Sequence, residues 1–559
     1  MNKNLKAFLI YVGLALILTW PLLPNITTHY PSAHTLEGGD PNIYIWWMDA
    51  VARNIVDSSY EPSKMLFYPK GINFQAGYEG PVMLLVSTPI ILLFNNPILA
   101  YNLVLLLAFI LTAYCAYLLV KYLTESYSVS LVAGFCIGYS PYMMVRGTQH
   151  LDLLFLFGVL LVILYGLKSV EDPSRKNLIA LVLSVMLTAV SAWYYLVGAL
   201  IFLLILGIHK FGKLWEHKKK WTITIASMGL LLLIFAIPML SNKSTMTDAY
   251  VDWLVDDRGA DPAEFFVPHA FMQSWTWPVY RTLASPFEST SYFGIVGLIA
   301  IITLFLPKRF KIPNRGVWIS TIVIFLLIAM GNYLHVVGWG KISLPFSLLQ
   351  HIPPFDHLRS PVRFFIYSYI AMVIVFAYFL IQIKDKIKSQ HKLILSVLLG
   401  AILLSERLIL PYPVMALPVS EFYKALGQSE EHFAIADIPA VDPGRSLYNY
   451  YQLYHRKPIV DGEFTWTTYD QQTFDFIKSN RLLAHAFSNP CSKVIPLKEG
   501  EVEMALKHLA DNNIRYVVVH NLLIRFECER LAGFFKEFFK SSKPVFTDGE
   551  ITVYSTKTP

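Results

Sequence analysis

Asp40 follows two glycines and precedes a proline in the stretch EGGDPNIYIWWMDAVARNIV, residues 37–56. A carboxylate so placed can act as a general base. It can also cap the helix that Pro41 would open, and the two roles are compatible. In the same stretch Asp49 and Arg53 are spaced as an ordinary helix pair, and Trp46 and Trp47 suit the headgroup level of a bilayer. A second stretch, RGTQHLDLL (146–154), brings Arg146, His150 and Asp152 to the start of an apolar run. Ionisable groups that close to hydrocarbon are costly and tend to be functional, although Asp152 could equally complement a helix dipole. His-x-Asp can ligate a divalent ion but supplies too few ligands to define a site. A third stretch, DRGADPAEFFVPHAF (257–271), carries Asp261, Glu264 and His269, which read as acceptor- or sugar-binding groups or as solvated surface. The fourth, PPFDHLRSPVRFF (353–365), holds His357, a further acceptor- or sugar-binding candidate, with Arg359 and Arg363. A planar guanidinium suits a phosphate, and snorkelling at a membrane interface is the alternative. The chain has no Walker loop, dinucleotide fingerprint, HExxH or GxSxG, so a cytosolic nucleotide donor finds no docking site.

The elements that must hold these groups are membrane helices. Of the 559 residues 55% are hydrophobic and 15% charged, and long uncharged runs recur up to about residue 407. A spanning helix needs about 20 apolar residues. The net charge of +7 does not indicate nucleic acid, because the basic residues sit in short loops between apolar runs. Lys3 and Lys6 put the N-terminus inside, before a first helix at 8–23 that lacks a cleavage site. The stretch 81–94 either spans as a short helix or lies in the outer interface. If it does not span, helices fall at about 98–120, 129–145, 151–167, 178–193, 195–208, 221–240, 292–306, 317–331, 364–382 and 393–409, roughly 11 in all with the first. Every strongly basic short loop is then inside. The acidic loop 241–291 falls outside, with Asp248, Asp252, Asp256, Asp257, Asp261, Glu264 and Glu288 against Lys243, Arg258 and Arg281. A single long tilted helix over 178–208 is the alternative, and it would move the 146–150 turn inside. The expected architecture is a mostly α, polytopic bundle over 1–410, with outside loops 25–97, 241–291 and 332–363. An extracytoplasmic α/β domain follows over 411–559, from the strand-like runs 432–439, 514–520 and 551–556. Cys491 and Cys528 in that tail could pair in an oxidising compartment, whereas Cys115 and Cys136 read as packing residues.

The leading helix, the first-loop GGDP, SPYMMVRGTQH (140–150), ADPAEFFVP (260–268), LRSPVRF (358–364) and YYQLYHRKPIVDGE (450–463) together resemble the GT-C superfamily of membrane glycosyltransferases, in its uncharacterised prokaryotic branch. The resemblance spans nearly the whole chain. It implies a polyprenyl-phosphate-linked sugar donor, an extracytoplasmic acceptor (lipid, glycan or protein) and a first-loop aspartate near the reacting centre, which maps onto Asp40. Metal-using members carry a D-x-D or related pair; this chain has Gly38-Gly39-Asp40 instead. A divalent cation, Mg or Mn, is therefore only a candidate cofactor, with Asp40, His150 and Asp152 as candidate ligands. The resulting expectation is an inverting transfer in which Asp40 is the base, His150 and Asp152 orient it or bind sugar, and Arg359, Arg363 and Arg146 hold the departing lipid phosphate. The rival readings are a transporter or lipid flippase, which usually shows inverted repeats and midplane charges, and a non-catalytic scaffold of envelope biogenesis.

Overall fold

The structure is a computed structural model. It describes the chain except residues 1, 34–37, 73–79, 241–258, 270–289, 307–308, 338, 353–357, 359, 385, 440–444, 465–470, 488–496, 522, 524–528 and 558–559. The first half is helical: α1 (Lys3–Leu18), α2 (Pro41–Val56), α3 (Pro81–Phe94), α4 (Pro97–Thr124), α5 (Tyr127–Gly138), α6 (Pro141–Arg146), α7 (Phe157–Glu171), α8 (Arg175–Ala189), α9 (Trp193–His209), α10 (Phe211–Glu216) and α11 (Lys218–Leu240). Beyond the acidic loop come α12 (Gly294–Phe305), α13 (Arg315–Ala329), α14 (Phe365–Lys384) and α15 (Ser389–Ser405).

Among the described residues four stretches are long and apolar enough to cross a membrane: Pro97–Thr124, Tyr127–Arg146, Leu151–Glu171 and Pro361–Lys384. Five shorter apolar helices accompany them, α3 and α9 included. The region 178–208 is two helices, parted where Ala192 turns extended (φ −158°, ψ 133°). Helix α3 has 14 residues with Pro89 inside it, short of the length a span needs.

Helix α4 is the central post. Its 28 residues reach about 42 Å at 1.5 Å per residue. Near one end Asn102 donates to the carbonyls of Ile26 and His29, and near the other Lys121 meets Asn4. Helix α5 packs on it through small residues: a Cβ at Gly138 would stand 2.4 Å from that of Ala113. Between apolar helices in lipid such close approach, rather than the hydrophobic effect, supplies the attraction. At the far end the basic loops meet, and Tyr122, Glu171, Lys210 and Asn314 line one cavity of about 220 Å³.

Helix α2 is not a surface helix. Trp46 and Trp47 are 1% exposed and pack on Phe464 instead of standing in a headgroup belt. The tail covers them. Its helix α16 (Glu421–Gly427) is followed by α17 (Arg445–His455), which lies along α2. There the Trp46 indole donates to Gln452, and the Arg456 guanidinium joins that of Arg53 on the buried Asp49.

The strands, in chain order, are β1 (Tyr30–Pro31), β2 (Tyr333–Val336), β3 (Trp339–Ser343), β4 (Val414–Met415), β5 (Ala434–Ile438), β6 (Ile514–His520), β7 (Phe546–Thr547) and β8 (Ile551–Ser555). One sheet has the order β5-β6-β8-β7, with β5 and β6 parallel and the rest antiparallel. Ala434, Ala436, Ile438, Val517, Val519 and Phe538 belong to its own apolar core. The short pair β1–β4 ties the first loop to the start of the tail, Tyr30 opposite Met415.

Candidate active site

The loop before α2 is bent by its glycines. Gly38 (φ +80°) and Gly39 (φ +62°) are both left-handed, a region that glycine enters without strain. At Gly38 a Cβ would also stand 2.5 Å from the Tyr30 hydroxyl and 2.6 Å from the Asn42 amide. Tyr30 donates to Asn42 Oδ1, and Ser32 donates to the Gly38 carbonyl at 2.8 Å, so the turn is pinned on both sides. Pro41 opens α2, and Asp40 at the cap position makes no side-chain capping bond. Its carboxylate, 41% exposed, instead lies 3.2 Å from His150 Nε2.

His150 ends the turn that follows α6, its N–H bonded to the Arg146 carbonyl at 2.9 Å. Arg146 is fully buried, with its guanidinium over the Tyr142 ring and Nη1 3.2 Å from His150 Nδ1. Arg363 comes from the 3-10 turn Pro361–Phe364. Its Nη2 is 3.1 Å from His150 Nε2, and its guanidinium lies over the Tyr194 ring at 4.9 Å. The Tyr194 hydroxyl in turn accepts the Ser360 N–H at 2.9 Å. A guanidinium can only donate. Nδ1 therefore faces a donor, Arg146, while Nε2 faces both a donor, Arg363, and an acceptor, Asp40, so no single neutral tautomer satisfies all three contacts.

Asp152 is buried beside this group. The Tyr44 hydroxyl of α2 donates to its Oδ1, and the charges of Arg363 and Arg146 act on it. Tyr101 of α4 is also fully buried, and its hydroxyl has no hydrogen-bond partner among the described residues. It feels the charges of both Asp40 and Asp152.

The loop 261–269 closes against the same place. Asp261 is buried and accepts the Ala263 N–H at 2.9 Å, capping a 3-10 turn. Glu264 is buried and accepts from Ser291 Oγ at 2.8 Å; burial pushes its carboxyl well above the usual carboxylate range. Burial and then the Arg146 charge push His269 down to about 3, so its ring is neutral. Phe265, Phe293 and Phe365 stack with centroids 4.7–6.0 Å apart, holding this loop on the start of α14.

The structure thus brings Asp40, Arg146, His150, Asp152 and Arg363 together, with His269 beside Arg146. It gives Asp261 and Glu264 a part in folding their loop. Arg359, His357, Cys491 and Cys528 lie outside the described residues. Sequence reasoning missed Tyr44, Tyr101 and Tyr194, because an aromatic in an apolar run reads as packing. The Tyr-Tyr after Trp193 at a helix junction was the one available signal.

Among the described residues the donor set does not fit a divalent cation. No group of three His, Cys, Asp or Glu gathers as ligands among the described residues. Two guanidiniums flank His150, and a metal there would meet like charge at contact distance. What the arrangement offers is a half-exposed carboxylate beside two fixed cations.

A buried helical post and the apolar helices around it make an integral membrane protein, and its fold is that of the GT-C proteins it superimposes on. Over 99% of its length the chain superimposes on the mycobacterial arabinofuranosyltransferase AftD with a TM-score of 0.57 at 12% identity, covering 40% of that chain. Over 93% it superimposes on the Archaeoglobus fulgidus oligosaccharyltransferase with a TM-score of 0.52 at 14% identity, covering 68% of that chain. The chain therefore spans about two fifths of the AftD length. No curated protein matches it in sequence. The chain belongs to the family described as domain of unknown function DUF6311, whose model matches residues 63–404.

Proposed function

We propose that the protein is a membrane glycosyltransferase that moves a sugar from a polyprenyl-phosphate donor to an extracytoplasmic acceptor, with inversion at the anomeric carbon. The observation that carries this reading is the convergence of Asp40, His150, Arg146 and Arg363, from three distant stretches of chain, at one end of a GT-C bundle.

Asp40 takes the proton of an acceptor hydroxyl as that oxygen attacks the anomeric carbon. The bond from that carbon to the phosphate oxygen breaks, and polyprenyl phosphate leaves with the electron pair. His150 Nε2, 3.2 Å from Asp40, fixes the place of that carboxylate. Arg363 and Arg146 stabilise the charge gathering on the departing phosphate, where fixed donors in a water-poor site are worth most. The guanidiniums are aimed by Tyr194 and Tyr142, so little reorganisation accompanies the reaction. The bundle stands with its N-terminus in the cytoplasm and its tail outside. The gathering of Lys210 and the neighbouring basic loops at the end away from Asp40 supports that orientation.

Asp40→Asn keeps the shape and removes the base. Sugar transfer from a synthetic lipid-phosphate donor by purified Asp40→Asn protein should fall by about 10²–10⁴-fold, with the protein still folded. Full activity would rule Asp40 out as the base.

A further inference from the structure

Residues 331–352 run from the end of α13 toward the Pro361 turn and contain a single charged side chain, Lys341. Strands β2 and β3 make an antiparallel hairpin, Tyr333 opposite Ser343 and Leu334 opposite Ile342, with Gly340 at φ +91° near its tip. Asn332 closes the base: its side-chain amide donates to Gln350, and its carbonyl accepts the Leu344 N–H at 2.8 Å. The hairpin stands at the Asp40 end of the bundle. The last residue of α13, Ala329, accepts the N–H of Ala260 at 2.8 Å, and α13 packs on the turn that carries Arg363.

Its outer face is apolar. Trp339 is 82% exposed, Ile342 65% and Val336 52%, with Leu348 at 72% nearby. Scattered exposed apolar residues need no explanation, but a contiguous apolar patch marks a surface that something covers. Continuity says what covers this one. Helix α13 leaves Ile319, Val323 and Leu327 exposed at intervals of four residues, a single stripe along an apolar helix of a membrane bundle. The hairpin emerges where that lipid-facing stripe ends. Trp339 has the amphipathic ring that settles at headgroup level.

We propose that the hairpin Tyr333–Ser343 docks on the bilayer itself. Trp339 sits in the headgroup–acyl boundary of the leaflet at the Asp40 end. The occupant of the apolar face is a lipid surface, and the proposal stands whether or not the site transfers sugar.

The test uses the full chain in phosphatidylcholine vesicles, with and without bromine on the acyl chains near the headgroup. Trp339→Phe removes one of 12 tryptophans, so the difference spectrum against wild type isolates Trp339. The expected emission is blue-shifted and falls about twofold or more with brominated lipid, as for an interfacial ring. The double variant Val336→Lys, Ile342→Lys lifts the tip, and there the Trp339 emission loses its response to bromine while the other tryptophans keep theirs. An emission like that of tryptophan in water, unchanged by bromination, overturns the proposal. So does self-association of the vesicle-bound protein that Trp339→Phe abolishes without any lipid quenching. Phe at an exposed tip leaves the fold intact, so either result reports location.

Discussion

His150 shows how one residue takes its meaning from its neighbours. Each ring nitrogen faces an arginine, and one also faces Asp40. That environment opposes a cation and holds the ring beside Asp40. Glu264 is a carboxyl that burial pushes toward its protonated form, and its effect on stability has a definite sign. Its folded value lies above its ordinary 4.5, so the folded chain holds the proton more tightly. The stability this contributes is complete below about pH 4.5 and is lost as pH rises through the folded value. Glu264→Gln keeps the bond to Ser291 without a titrating proton. Thermal unfolding in detergent should show a flatter pH profile for this variant above about pH 4.5, with wild type falling away more steeply. Parallel profiles would mean that Glu264 is ionised in the folded chain.

Among the elements α2 decides the most. It carries Asp40 at its start, Tyr44 one turn in and Asp49 in its middle, and the tail grips it through Gln452 and Arg456. The spacing of Asp49 and Arg53 reads as a local pair; the structure adds Arg456, more than 400 residues away. Arg456→Ala leaves the buried Asp49 with Arg53 alone. Breaking a buried pair costs about 3–5 kcal/mol, and the partly exposed Arg456 side chain reduces that to roughly 1–3 kcal/mol. A matching drop in the unfolding midpoint, with loss of transfer in step, is the expected result. An unchanged midpoint would show that the tail does not hold α2.

On the scale of the whole molecule the two ends of the bundle are chemically opposite. Carboxylates, guanidiniums and tyrosines meet at one end, and lysine-bearing loops at the other. With the proposed orientation, cysteines placed at Ser59 and at Lys213 should react differently with a thiol reagent that cannot cross the membrane. The first should label in intact cells and the second only after permeabilisation. Equal labelling of both in intact cells would remove the orientation, though not the site.

The sequence alone determined that the chain is a helical membrane protein with the GT-C pattern. It also marked Asp40, Arg146, His150, Asp152 and Arg363 among ten candidates; run length and charge beside apolar runs are local properties that bilayer physics reads directly. Strands were legible for the same local reason, in runs such as IRYVVVH that became β6. The split of 178–208 into two helices, the burial of Trp46 and Trp47 under the tail, and the partners of Asp49 were decided only by tertiary structure. So were the exposure of Tyr101 to the charges of two carboxylates and the flanking of His150 by two arginines. Each of these depends on which distant segments come into contact. Contact between segments hundreds of residues apart leaves no period or spacing in a single chain for a reader to find.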